Sequence, residues 1–247
     1  MSLVVFADFT CPECFLASRR AGVLAAAGVA VEWRAVEHRR ELPVGGSPLG
    51  SDALAELERR VATLDGLLLP GEQLPWSAPS VVSRTEAAVT ALAEAQCAGV
   101  GDEVRRLLFE LYWQRRVDIG SLAQLRGPLF APIRSGHSHA DALRYSGYAV
   151  TVDRGPITTE AFDLIRRWRA QWAELDSPEL PAVLVDGAAL HGLDAVRRLG
   201  KEIAYVQAPL DPSDPSSDFA VRAHPGPEWT SWVGDPWRTA NRSAPVR

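Results

Sequence analysis

Two cysteines at the junction of a strand and a helix constrain this sequence most. Residues 3–6 form a short apolar run, which predicts a strand buried on both faces. Cys11 and Cys14 follow, and Pro12 fits the first position of a helix, where its missing N–H is not needed. Cys11 therefore stands at a helix N-terminus, whose N–H groups and dipole favour a thiolate. The cysteines are one helical turn apart, so they can close a disulfide.

Composition narrows the class of protein. The chain has 247 residues, of which 47% are hydrophobic, so a large core can be buried. Its formal charge of -5 gives no reason to expect nucleic acid or an anionic membrane as a partner. We find neither a membrane-spanning apolar run nor a signal-peptide pattern, so we expect a cytoplasmic protein. Three cysteines are too few for a disulfide scaffold, and the Cys-x-x-Cys pair points to redox or metal chemistry.

Periodicity predicts the order of the elements. A helix after the cysteines should end at Gly28, and alternation over residues 29–36 predicts a second strand, parallel to the first. From Ser51 the pattern becomes helical, and residues 83–86 (Ser-Arg-Thr-Glu) have the form of a capping box for a helix that reaches Cys97. The other expected elements are helices at 102–116, after Ser121 and at 158–175, a strand from Ala182, a turn at Asp186 and Gly187, a return strand and a closing helix.

The cysteine segment resembles a known family. Residues 11–20 (Cys-Pro-Glu-Cys-Phe-Leu-Ala-Ser-Arg-Arg) resemble the active-site segment of the DsbA-like thioredoxin-fold oxidoreductases, above all the FrnE-type branch, whose motif is commonly Cys-Pro-Trp-Cys-Tyr-Ile-Gly. The order of elements is similar too. The resemblance implies an α/β fold, in which a thioredoxin-like core with a mixed sheet of about four strands is split by an all-helical insertion. The boundaries are 1–40 and 151–205 for the two halves of the core, 41–150 for the insertion and 206–247 for a Pro/Trp-rich tail.

The resemblance also implies which residues are catalytic. The first cysteine of the pair, here Cys11, is the nucleophile in that family, and the second, here Cys14, resolves mixed disulfides. A proline with a cis peptide bond begins the third strand and faces the cysteines, and by position this is Pro181. The backbone of the preceding residue, Leu180, would pair with an extended substrate strand.

Three residues near the cysteines are candidate modulating or substrate-binding residues: Pro12, Glu13 and Asp8. Glu13 stands where the family usually has an aromatic residue, and its carboxylate suits a helix N-terminus but repels a thiolate. We therefore expect Cys11 to be less acidic, and the protein to be a weaker oxidant, than in a relative with histidine at that place. Asp8 matches a frequent family residue, and a turn-forming or capping aspartate is the alternative interpretation.

The same residues allow alternatives to redox chemistry. A Cys-x-x-Cys can be half of a zinc site, but Cys97 is alone and the histidines show no ligand spacing beyond His137-Ser138-His139, so we expect no metal. The 2-hydroxychromene-2-carboxylate isomerases and kappa-class glutathione transferases share the split core, and they activate glutathione with a serine at the position of Cys11. An isomerase or transferase that depends on a glutathione-type thiol is one alternative. A non-catalytic thioredoxin-fold binding domain is another.

The leading hypothesis is a thiol–disulfide oxidoreductase that uses Cys11 and Cys14. We expect no tightly bound cofactor, and a low-molecular-weight thiol is a candidate co-substrate. The expected partners are a disulfide-bearing protein or a small thiol, without nucleic acid or membrane, and a homodimer stays open. Arg19 and Arg20 are expected to be surface charges that could steer an anionic thiol.

Overall fold

The computed structural model describes residues 2–136, 158–175 and 179–207. His137, His139 and the tail from residue 208 onward lie outside these ranges. The described elements, in chain order, are β1 (Ser2–Ala7), α1 (Pro12–Ala26), β2 (Ala30–Ala35), β3 (Ser47–Pro48), α2 (Ser51–Asp65), β4 (Val81–Val82), α3 (Glu86–Cys97), α4 (Gly101–Trp113), α5 (Leu122–Ser135), α6 (Thr159–Ala173), β5 (Ala182–Val185), β6 (Ala188–His191) and α7 (Gly192–Gln207).

The four longer strands form one mixed sheet in the order β2-β1-β5-β6. β1 pairs in parallel with β2 and antiparallel with β5, and β5 pairs antiparallel with β6. β1 is thus an inner strand, as its continuous apolar run predicts. Asp186 and Gly187 have φ values of 48° and 84°, the left-handed conformations that a two-residue hairpin turn requires. This topology is that of a thioredoxin-like core, and it confirms the expected mixed sheet.

Helices α2 to α5 stand between β2 and α6, as the expected insertion does. A short ladder of β3 with β4 accompanies them, which periodicity did not predict because each strand has only two residues. The capping box was wrong in detail. Thr85, not Ser83, precedes α3, and neither hydroxyl caps the helix. The Ser83 hydroxyl donates instead to Oδ1 of Asp118 at 2.6 Å, and the Thr85 hydroxyl donates to Oδ2 of Asp8 at 2.9 Å.

An aromatic cluster joins the insertion to the helix that follows the cysteines. Phe15 of α1 stacks on Trp113 of α4, with 6.0 Å between ring centroids and 3° between ring planes, and on Phe109 at 5.8 Å. The indole Nε1 of Trp113 donates to the backbone oxygen of Phe9 at 2.9 Å. These rings are buried, and each buried aromatic pair adds about 0.5–1.5 kcal/mol beyond the area that it covers. The insertion is therefore part of the core beneath the cysteines.

Arg20 is not the surface charge that the sequence suggested. Its side chain is 1% exposed and lies in α1 beneath the loop after α2. Nε and Nη2 of Arg20 donate to the Glu72 carboxylate at 3.1 and 2.7 Å, and Nη1 and Nη2 also donate to the backbone oxygens of Val196 and Leu67. A buried guanidinium needs hydrogen-bond partners, and each of the three nitrogens of Arg20 donates to an oxygen. Arg20 is thus unavailable for steering a substrate.

Helix α6 has the features from which the sequence predicted a helix over residues 158–175. Thr158 caps it, because its hydroxyl accepts from the backbone N–H of Ala161 at 3.2 Å. Ala161, Ile165 and Trp168 are buried at the spacing of one helix face. Among the described residues, no helix combines the length and the apolar character that crossing a bilayer needs.

Candidate active site

Cys11 occupies the N-cap of α1. Its backbone is extended (φ -95°, ψ 122°), Pro12 begins the helix, and Cys11 Sγ accepts from the backbone N–H of Cys14 at 3.4 Å. The sulfur therefore takes the place that a serine or aspartate oxygen takes in ordinary N-caps, close to the positive end of the helix. The Cys11 residue is 8% exposed, whereas Cys14 is fully buried. Only the first cysteine can meet a substrate without rearrangement.

Both cysteines are thiols rather than a disulfide in this structure. Burial raises the pKa of the Cys14 thiol well above its ordinary value, and the hydrogen bond and charge of Cys11 raise it further. Cys14 is thus held as the neutral thiol at neutral pH, because a buried thiolate without a compensating charge is costly. The environment separates the two sulfurs into an outer one and an inner, protonated one.

Glu13 and Arg60 form a charged pair against the outer sulfur. Cys11 Sγ donates to Oε2 of Glu13 at 3.1 Å. Nε of Arg60 donates to Oε1 of Glu13 at 2.9 Å, and Nη2 of Arg60 donates to Oε2 of the same carboxylate. Nη2 of Arg60 also lies 3.7 Å from Cys11 Sγ. The sequence placed Glu13 beside the cysteine as a lone negative charge, but the structure neutralises it with a residue from the insertion.

Pro181 and Leu180 lie at the start of β5, next to the cysteines. The Leu180–Pro181 peptide bond is cis. The backbone oxygen of Leu180 is 3.8 Å from Cys11 Sγ, and the backbone oxygen of Pro181 accepts from the N–H of Gly192 at 2.9 Å. The antiparallel pairing of β1 with β5 brings this segment to the cysteines across a sequence separation of 169 residues. The fold therefore unites Cys11, Cys14, Leu180 and Pro181 in one place.

Asp8 is a structural aspartate at the end of β1, although it lies beside the site. Oδ1 of Asp8 accepts from the backbone N–H and the hydroxyl of Thr10, both at 2.8 Å. Oδ2 accepts from the N–H of His38 at 2.8 Å and from the hydroxyl of Thr85 at 2.9 Å. Its side chain thus stabilises the turn before Cys11. Its hydrogen bonds also hold the chain after β2 and the start of α3 against this turn. This geometry matches the turn-forming interpretation.

Replacing Asp8 with asparagine is expected to lower the free energy of unfolding by about 2 kcal/mol. Asp8 is 1% exposed and accepts hydrogen bonds on both carboxylate oxygens. The NH2 group of an asparagine would point at one of these donors, and that buried donor would lose its hydrogen bond. Urea unfolding of the reduced protein at pH 7 measures the change. Asp163→Asn is the matched control, because Asp163 is exposed on α6. Equal unfolding midpoints for the two variants would contradict the structural role.

A cleft of about 440 Å³ opens over the cysteine that faces outward. Its lining residues are Asp8, Thr10, Cys11, Glu13, His38, Arg39, Arg60, Glu179, Leu180, Gly192 and Leu193. Most of these residues carry polar or charged groups, so the cleft suits a polar, partly charged ligand. No cluster of three metal-ligating side chains occurs in residues 2–136, 158–175 and 179–207.

Comparison with known families decides the assignment. Residues 2–129, just over half of the chain, match the family model for the DSBA-like thioredoxin domain. The chain belongs to this family. The match spans β1, both cysteines of the DsbA-like motif and most of the insertion, but it ends before Pro181. A search of curated protein sequences found no match.

Solved structures show the DsbA-like fold over most of the chain. A probable DsbA oxidoreductase from Streptomyces coelicolor has a TM-score of 0.61 at 16% identity, over 87% of this chain and 94% of that chain. A 2-hydroxychromene-2-carboxylate isomerase has a TM-score of 0.57 at 15% identity, over 83% and 96%. The cytosolic disulfide reductase DsbM from Pseudomonas aeruginosa, solved with GSH, has a TM-score of 0.50 at 16% identity, over 84% and 98%. At such identities the likeness shows the fold alone.

Proposed function

We propose that this DsbA-like protein is a thiol–disulfide oxidoreductase with Cys11 and Cys14 as its redox pair. The observation that carries the proposal is the pairing of two thiols at one helix N-terminus, with Cys11 at the cleft and Cys14 behind it. A thiolate at a helix N-terminus is stabilised by N–H groups and the helix dipole, and the thiolate is the nucleophile in disulfide exchange. Membership of the DsbA-like family supports the same chemistry.

The reaction follows from the different surroundings of the two sulfurs. The Cys11 thiolate attacks a substrate disulfide, the substrate S–S bond breaks, and a mixed disulfide forms while the released substrate thiolate takes a proton from water. The Cys14 thiol then loses its proton and attacks Cys11 Sγ. The Cys11–Cys14 disulfide forms, the second substrate thiol leaves, and two electrons have passed to the substrate. With the protein oxidised at the start, the same steps run in reverse.

The raised pKa of Cys14 fits the second step. Because Cys14 stays protonated, it does not compete with Cys11 for the first attack. A substrate sulfur bonded to Cys11 removes the negative charge that helps to keep Cys14 protonated, so the resolving thiol becomes easier to ionise once the mixed disulfide has formed. The order of the two attacks is therefore built into the site.

The substrate class is proposed from the cleft. Its open shape and charged lining suit either a disulfide-bearing protein segment or a low-molecular-weight disulfide. DsbM, whose fold is similar, is described as a cytosolic disulfide reductase and was solved with GSH. A small thiol as the electron donor and a cytoplasmic location are parts of the same proposal.

Cys14→Ser provides the test, in a single turnover without added reductant. Reduced wild-type protein should open insulin disulfides and end as the Cys11–Cys14 disulfide. Cys14→Ser should stop at a mixed disulfide between Cys11 and an insulin chain, which mass spectrometry under non-reducing conditions detects, and it should release one insulin thiol per protein where the wild type releases two. Cys97→Ser is the control and should behave as wild type. Release of both insulin thiols by Cys14→Ser, with no mixed disulfide detected, would overturn the proposal.

A thiol-dependent isomerase or transferase is the second candidate, because the fold is also similar to that of a 2-hydroxychromene-2-carboxylate isomerase, at a TM-score of 0.57. Such an enzyme activates a small thiol and needs no second cysteine. It would therefore leave insulin disulfides intact in the wild type, and its glutathione-dependent reaction would be unchanged in Cys14→Ser. Insulin reduction that needs Cys14 excludes it as the main activity.

A further inference from the structure

One arginine of the insertion reaches the reacting sulfur. Arg60 lies on α2, and its guanidinium holds the Glu13 carboxylate through two nitrogens while Nη2 lies 3.7 Å from Cys11 Sγ. The Arg60 side chain is 35% exposed and lines the cleft, so the contact is at the entrance for a substrate rather than in the core. Neither the cysteine motif nor the sequence around Arg60 indicates this contact, because the two segments meet only when α2 packs on α1.

Glu13 and Arg60 act on Cys11 in opposite directions. The Glu13 carboxylate accepts a hydrogen bond from Cys11 Sγ at 3.1 Å, which favours the neutral thiol, and its charge repels a thiolate. The Arg60 guanidinium offers a donor and a positive charge to the same sulfur, which favours the thiolate. Each residue also limits the effect of the other, because the two form an ion pair.

Arg60 keeps its charge at any working pH. Burial alone would lower the pKa of Arg60, but its hydrogen bond to Glu13 and the negative charge there outweigh burial and raise that pKa above its ordinary value. A permanent cation beside the nucleophile does not need to gain or lose a proton during the reaction. It acts through its field and its hydrogen bonds.

We propose that Arg60 is a catalytic residue that stabilises the Cys11 thiolate and offsets the repulsion from Glu13. The inserted helix thereby provides a positive charge where the Cys-Pro-Glu-Cys segment provides only a negative one. The inference rests on the proposed function, because it assigns a residue to the same nucleophile. Arg60 takes no part in bond making: the proton of Cys11 goes to water, and the guanidinium holds the charge that the sulfur carries until it attacks.

Alkylation of Cys11 by iodoacetamide tests this without any disulfide substrate. The rate is measured at pH 7 on reduced protein, with the modified Cys11 peptide quantified by mass spectrometry. Arg60→Gln should slow alkylation roughly tenfold, because Glu13 is left uncompensated beside the sulfur. Glu13→Gln should speed it roughly threefold or more, because Arg60 then acts on Cys11 alone. Arg60→Lys should recover part of the loss.

The double variant and a neighbouring arginine complete the design. Arg60→Gln with Glu13→Gln should return the rate to within about threefold of wild type, since both charges are gone. Arg59→Gln is the matched control: Arg59 is on the same helix but 73% exposed and paired with Glu56. It should leave the rate unchanged. Charged iodoacetate should be affected more than neutral iodoacetamide by loss of Arg60, because it also loses the attraction of the guanidinium.

The outcomes separate a charge effect from a structural one. Both single variants break the same ion pair, so a merely structural role predicts changes in the same direction, whereas the proposal predicts opposite directions. A rate for Arg60→Gln equal to that of Arg59→Gln would overturn the inference. If Arg60→Gln does not fold, Glu13→Gln still decides, because an unchanged or slower rate contradicts it. A protein that fails to reduce insulin, but shows these alkylation rates, would refute the proposed function and keep the role of Arg60.

Discussion

Replacing Cys11 with serine is expected to reduce insulin-disulfide reduction to the uncatalysed rate, a loss of roughly a thousandfold or more. A serine hydroxyl is not ionised at neutral pH, and an alcohol is too weak a nucleophile to open a disulfide. Serine is also among the best N-cap residues. It can accept from the backbone N–H of Cys14 as Cys11 Sγ does at 3.4 Å, so the helix should keep its start. The loss of activity should therefore come without a loss of stability.

Two measurements check this expectation. Turbidity of insulin with dithiothreitol gives the rate, and urea unfolding of the reduced proteins gives the stability of Cys11→Ser against wild type. The unfolding midpoints should agree, while the catalysed rate disappears. A catalysed rate within tenfold of wild type would show that another group is the nucleophile. Retained glutathione-dependent isomerisation in Cys11→Ser would favour the isomerase alternative.

Replacing Glu72 with alanine is expected to lower the free energy of unfolding by about 3–5 kcal/mol. Arg20 and Glu72 are 1% and 0% exposed, and Arg20 places two nitrogens on the carboxylate. Without Glu72 the buried guanidinium keeps only the backbone oxygens of Leu67 and Val196, and its charge has no counter-ion there. An uncompensated buried charge is the reason for the large effect.

An exposed ion pair provides the comparison for Glu72. Glu56→Ala removes the partner of Arg59 on the surface of α2, where the two side chains are 51% and 73% exposed. This substitution should lower the free energy of unfolding by less than about 0.5 kcal/mol, because water screens exposed ion pairs. Urea unfolding at pH 7 measures both variants. A loss of less than about 1 kcal/mol for Glu72→Ala would show that water reaches Arg20 and that the pair contributes little.

Local patterns predicted the elements that position the cysteines. The apolar run of β1, Pro12 and Gly28 act through the backbone of neighbouring residues, so sequence alone reveals them. The hairpin at Asp186 and Gly187 was readable for the same reason. What the sequence could not reveal depends on contacts between distant segments.

Three residues illustrate that limit. Ser83 and Thr85 carry the hydroxyls of a capping pattern, but these hydroxyls donate hydrogen bonds to Asp118 and Asp8, whose carboxylates are 35 and 77 residues away in the chain. Arg60 looks like any charge on an amphipathic helix, and only the packing of α2 brings it to Cys11. Periodicity shows which face of a helix is buried, but it does not show which element covers that face.

The stacking of Phe15 on Trp113 and the hydrogen bond from Trp113 to Phe9 determine what deletion of the insertion would do to the cysteine site. A shortened chain that joined β2 directly to α6 would retain all four strands of the mixed sheet and both sulfurs of the motif. It would nevertheless expose buried aromatic rings to water directly below the two cysteines, and it would lack Arg60. The inserted helices therefore pack beneath the cysteines and form one side of the cleft. Grafting the Cys-x-x-Cys motif alone onto a smaller thioredoxin-like protein would not transfer the reactivity of Cys11.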